Sequence, residues 1–142
     1  MLEGERLAAW TRFLKAHSAI SRRLERDLAD EHSLTLSDYD VLLQISHARE
    51  QRLRPVEISK AVLLTRSGIT RLIQGLEREG LVQRTDCPDD ARGFLVALTP
   101  AGAELVQKAR ATHLAGVAEL FSNRYSDAET EQLMELLERL PR

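Results

Sequence analysis

Arg66, Ser67, Thr70, Arg71 and Gln74 all carry groups that donate or accept hydrogen bonds, and they fall together within residues 66–74. Ile69, Leu72, Ile73 and Leu76 interleave with them at i, i+3, i+4 and i+7, the spacing of one apolar stripe on a helix. An aliphatic stripe faces a core, so the polar edge crowded toward the amino end is left for solvent or a ligand. Guanidinium, hydroxyl and amide groups are the types that read base edges in a major groove. Thr65 is placed to cap the first turn with its hydroxyl, and Gly80 follows the last apolar positions as a C′ glycine. The spacing therefore predicts a helix over about residues 66–79, roughly 21 Å long, which a groove about 12 Å wide admits.

The elements around this helix must hold it in place. Upstream, Pro55 is pre-set for a first helical turn, and Val56, Ile58, Ala61 and Val62 supply a supporting helix with apolar contacts, after which Leu63 and Leu64 fill a turn. Downstream the period changes. Residues 81–84 (LVQR) and 94–98 (FLVAL) read as two short strands, and the loop between them contains Pro88, Gly93 and three aspartates. A hairpin of this kind makes a wing. Arg92, near the end of its loop, suits a minor groove, whose negative potential attracts guanidinium groups, and Asp90 is spaced to orient it through a carboxylate bond. Arg78 and Arg84 are candidates for phosphate contacts. Supporting helix, turn, longer helix and hairpin in this order predict a winged helix-turn-helix that reads double-stranded DNA.

These residues resemble the MarR family of bacterial transcription regulators. The wing of that family shows D-x-R, a small residue and a strand ending in LT, matched here by Asp90, Ala91, Arg92 and Gly93 and then by Leu98 and Thr99. LTLSDYDVL, residues 34–42, is similar to the family's helix start, and LTPAG after the wing is equally typical. Ala91 stands where many relatives have a second arginine, which predicts a weaker grip by the wing. The resemblance covers essentially the whole chain.

Two further helices lie outside the reading module. Leu7, Trp10, Leu14, His17, Ser21, Leu24 and Leu28 alternate spacings of three and four, a heptad-like seam that Phe13 and Ile20 widen. Thr99 and Pro100 form an N-cap and N1 pair opening a helix to about Leu120, and Ser126 with Glu129 forms a capping box for a last helix striped by Leu133, Leu136, Leu137 and Leu140. So much apolar surface in a short chain predicts a homodimer, and the resemblance implies that the terminal helices of two subunits interlace. The expected fold class is mainly α with a small β-hairpin, as one unit: dimerisation helices at about 1–34 and 100–142, and the winged helix-turn-helix at 35–99. Such a dimer binds a pseudo-palindromic site with half-sites about one DNA turn apart.

Composition agrees. The 142 residues are 43% hydrophobic but 4% aromatic, which favours aliphatic helix packing over a β-sandwich. The net charge of −2 divides unevenly: residues 52–92 hold 8 basic and 6 acidic side chains, the remainder 12 and 16. The asymmetry is small for a DNA binder, so affinity must lean on placed arginines and on avidity.

Other functions find less support. No apolar run reaches membrane-spanning length and Met1 is followed by acidic residues, which predicts a cytoplasmic protein with no membrane partner. The single cysteine, Cys87, lies among Asp86, Asp89 and Asp90, whose charge disfavours a thiolate, so a redox role is not expected. His17, His32, His47 and His113 lack metal-ligand spacing; no metal, cofactor or catalytic residue is expected, and no enzyme motif is present. The resemblance implies a small-molecule effector between dimer helices and DNA module, where Trp10, His17, Tyr39 and His47 are the candidates. The expected function is a ligand-responsive repressor. Its alternatives are an activator or dual regulator on the same scaffold, or a winged-helix module for protein contacts, which would expose apolar anchors on the reading helix.

Overall fold

The computed structural model describes residues 4–62, 66–89 and 93–141. The chain opens with α1 (Glu5–His32), which Ser33 ends in a left-handed conformation while its N–H donates to the Ala29 carbonyl. Thr35 then caps α2 (Leu36–His47) through a reciprocal box: its hydroxyl accepts from the Asp38 N–H and Asp38 accepts from the Thr35 N–H, each at 3.0 Å. Glu25 of α1 accepts from the Leu36 N–H at 2.7 Å, so the first orphan donor of α2 is met by the neighbouring helix.

A short 3-10 turn at Arg49–Gln51 leads into β1 (Arg52–Leu53), followed by α3 (Pro55–Val62) and α4 (Arg66–Arg78). Gly80, at φ +72°, turns the chain out of α4 into β2 (Val82–Asp86), and β3 (Phe94–Leu98) returns antiparallel beside it, Arg84 opposite Val96 and Asp86 opposite Phe94. The sheet has three strands in the order β1-β3-β2, not the two that periodicity predicts. β1 pairs Arg52 with Ala97 and Leu53 with Val96 along the edge of β3 that a lone hairpin would leave open. Two residues are too few to show an alternation. β2 also starts at Val82 and reaches Asp86, because Leu81, its N–H bonded to the Leu76 carbonyl, still belongs to the helix exit.

Thr99 caps α5 (Pro100–Leu120), accepting from the Gly102 N–H at 3.1 Å, and Ser126 with Glu129 forms the expected box at the start of α6 (Asp127–Leu137). The core lies where α1, α2 and α5 meet the winged module: Leu28, Leu42, Ile45, Ile58, Val96 and Ala109 are wholly buried. In α3 only Ile58 is fully inside, whereas Val56 and Ala61 face outward.

Gly102 sets how closely α5 can approach the sheet. A Cβ there would collide with the Leu81 carbonyl oxygen, which accepts from the Thr99 N–H, and would press on Leu98. Gly102→Ala is therefore expected to destabilise the protein by about 1–3 kcal/mol despite the better helix propensity of alanine. Chemical denaturation checks this, and an unchanged midpoint would show that α5 shifts freely.

The two ends of the chain bury little. Leu24 and Leu28 of the α1 seam are inside, but Leu7, Trp10, Phe13 and Leu14 stand exposed, and among the described residues none of α6 is buried. Trp10 is 55% exposed and Met134 60%, values at odds with a chain that ends its packing within itself.

Candidate nucleic-acid interface

α4 presents two chemically opposed sides. Ile69, Ile73 and Leu76 are buried, Leu72 is half-buried, and Ser67, Thr70, Arg71 and Gln74 are exposed. The aliphatic side locks the helix onto α3 and the sheet, so the polar side projects from a rigid support. Arg66 is the first residue of α4. Thr65, Asp90 and Arg92 lie outside the described residues, as do Leu63, Leu64 and Ala91. What is described of the wing is its base: β2, β3 and the start of the connecting loop.

Beside α4, Arg84 of β2 donates from Nε to Glu77 Oε1 at 2.9 Å, and its guanidinium lies 4.4 Å from the centre of the Phe94 ring. A partner seven residues back and an aromatic ring on the next strand were not legible in the spacing that made Arg84 a phosphate candidate. Arg54 is likewise engaged, donating from Nη2 to Cys87 Sγ at 3.1 Å. Cys87 is buried at the base of the wing, so a cation from just before α3 accompanies the aspartates that dominate its sequence neighbourhood.

The four residues expected near an effector are spread over three places. Trp10 stacks on Phe13, which stacks on His17, along the exposed part of α1. His17 also borders an apolar hollow of about 250 Å³ with Phe13, Ile20 and Phe121. Tyr39 lies in the core, its ring 4.8 Å from that of His113 on α5, and His47 is exposed at the end of α2. Spacing did not reveal the Tyr39–His113 contact. Burial holds the His113 imidazole below its usual range, which nearby Asp40 only partly offsets, and raises the Asp40 carboxyl and the Tyr39 phenol above theirs. His32 contacts the Thr112 hydroxyl at 2.7 Å, and Thr112 donates to Glu31 at 2.9 Å, so these groups tie α1 to α5. Among the described residues no cluster of three or more His, Cys, Asp or Glu side chains is disposed to hold a metal, and no helix is long and apolar enough to cross a membrane.

A sequence model described as the MarR family matches residues 32–93, from the end of α1 to the start of β3. The Bacillus subtilis HTH-type transcriptional regulator YkoM is 31% identical over 127 residues, covering 89% of this chain and 80% of its own. The chain belongs to the MarR family. AbsC, a MarR family transcriptional regulator from Streptomyces coelicolor, superposes with a TM-score of 0.91 at 28% identity, over 96% of this chain and 92% of its own. A second MarR family regulator from Streptomyces coelicolor, solved in complex with DNA, superposes with a TM-score of 0.92 at 27% identity, over 97% of this chain and 86% of its own. The Bacillus subtilis transcriptional repressor YetL is 29% identical over 104 residues, and the match spans 73% of this chain and 62% of that repressor. This MarR-family chain is thus a transcriptional regulator of winged helix-turn-helix architecture, with β1 completing the small sheet.

Proposed function

We propose that two copies of this chain bind one pseudo-palindromic operator, each inserting the amino half of α4 into a major groove and its wing into or beside a minor groove. Thr65, Arg66, Ser67, Thr70, Arg71 and Gln74 are the groove-facing residues of this reading, and Asp90 orients Arg92 at the wing. The observation that carries it is the exposed polar side of α4 on a helix whose opposite side is locked into the core. A module for protein contacts would display aliphatic or aromatic anchors there, and the exposed side chains Ser67, Thr70, Arg71 and Gln74 are none of these. The pairing of two copies is supported by the exposed apolar residues of α1 and α6, which need a cover in water.

Regulation in this reading is repression in the cytoplasm, by occupancy of DNA that polymerase needs, as the name of the repressor YetL suggests for this chain. A small-molecule effector acts by favouring a dimer whose two α4 helices are wrongly spaced, since a ligand shifts an equilibrium only through its differential affinity. Trp10, His17, Tyr39 and His47 remain the effector residues of the proposal, and the apolar hollow beside His17 supports His17 most directly. Selection from a randomised duplex library tests the function. The expected product is an inverted repeat bound by two chains; a library that stays random at low ionic strength would refute it.

A further inference from the structure

The pairing of Arg84 with Val96 and of Asp86 with Phe94 puts residues 82, 84, 86, 94, 96 and 98 on one face of the sheet. Val82, Val96 and Leu98 fill the part of that face over the core. Arg84, opposite Val96, and Phe94, opposite Asp86, are diagonal neighbours on the outer part of that face, where burial ends and a wing begins. The Arg84 guanidinium carbon sits over the Phe94 ring, 4.4 Å from its centre, and its Nε donates to Glu77, the residue after buried Leu76 on α4. One guanidinium thus contacts Phe94 of β3 and Glu77 of α4 together, which constrains the distance between hairpin and helix. Its Nε–H is committed to Glu77, whose carboxylate offsets part of the guanidinium charge and holds the group in one orientation, which weakens its pull on a phosphate. Its partly exposed ion pair adds little to global stability.

We infer that Arg84 is a positioning residue, clamped between Glu77 and Phe94 so that the wing keeps a set angle to the reading helix. This rests on the DNA-reading function proposed above. The clamp makes a prediction of unusual sign. Removing the negative charge of Glu77 makes the module more cationic, which by itself strengthens attraction to DNA; loss of the clamp must instead weaken binding.

The test uses the full-length protein and a duplex enriched by the wild type from a randomised library. Affinity is measured by fluorescence anisotropy over a salt series for wild type, Glu77→Gln, Arg84→Gln, Arg84→Lys and the Glu77→Gln/Arg84→Gln double variant. The clamp predicts a loss of about three- to tenfold in every variant, a double variant no worse than the singles, and an unchanged salt slope. Lysine does not rescue, because it keeps the charge but lacks the fork and the flat stacking surface. The inference is overturned if Glu77→Gln binds as well as or better than wild type, if the losses add, or if Arg84→Lys retains wild-type affinity while Arg84→Gln shows a shallower salt slope, the marks of a phosphate contact. Hydrogen–deuterium exchange on the free protein gives a readout independent of DNA: β2 and β3 amides exchange faster in Glu77→Gln and Arg84→Gln if the clamp exists, and at wild-type rates if it does not. Should the wild type enrich no sequence, the proposed function fails, while the exchange comparison still decides the clamp.

Discussion

Deleting the chain beyond Tyr125 is expected to convert a dimer into a monomer or an aggregate and to cost roughly a hundredfold or more in operator affinity. The deletion removes α6 and the residues after it, including Met134, Leu136, Leu137 and Leu140, which are exposed in the single chain and add little to its own core. Their loss is therefore expected to leave the winged module intact while removing apolar area that a second copy covers in the proposed dimer. Two linked reading helices bind with an effective concentration that raises avidity by about 10²–10⁴ over one, and that advantage disappears with the pairing. Light scattering reports the mass and a mobility shift reports the affinity. A truncated protein that remains a well-behaved dimer would show that α6 does not hold the copies together.

Replacing Arg71 with alanine is expected to weaken operator binding by about 1–3 kcal/mol and to relax preference at one symmetric pair of base positions. Arg71 is exposed on α4 between exposed Thr70 and Gln74, and lies back to back with buried Ile69 and Ile73, so the backbone that presents it does not give when the side chain is cut. A guanidinium that forks a base loses both hydrogen bonds at once, and the effect is sequence-dependent. Arg92→Ala, by contrast, is expected to weaken all duplexes more evenly. Competition against a panel of single-substituted operators separates the two patterns; equal affinity for wild type and both variants would remove these side chains from the interface.

Helix termini were largely legible because their signals are local. Ser126 and Glu129 sit three apart and close a box, Thr99 and Pro100 are adjacent, and Gly80 takes the positive φ its position demands. The two sides of α4 were legible for the same reason, since 3.6-residue periodicity needs only neighbouring positions. β1 was not, because two residues carry no pattern and what makes them a strand is the free edge of β3, some forty positions later. Side-chain pairings across the fold were equally hidden. Nothing local to Arg84 announces Glu77, nothing near Cys87 announces Arg54, and Tyr39 meets His113 only because α2 and α5 are packed together. These contacts add to what the sequence offers: Arg84, a candidate for phosphate contact, is also held by Glu77, and Cys87 acquires a cationic neighbour.

Operator recognition in the proposed function requires two polar α4 edges held at one separation by paired copies. The direct measurement is affinity against spacing, with inserts of about five and about ten base pairs between the half-sites of the selected duplex. Paired copies predict that half a turn, which puts the half-sites on opposite faces of the duplex, reduces binding to that of an isolated half-site, and that a full turn fails to restore it because the reading helices are held at a fixed distance. Affinity indifferent to either insertion would contradict the account.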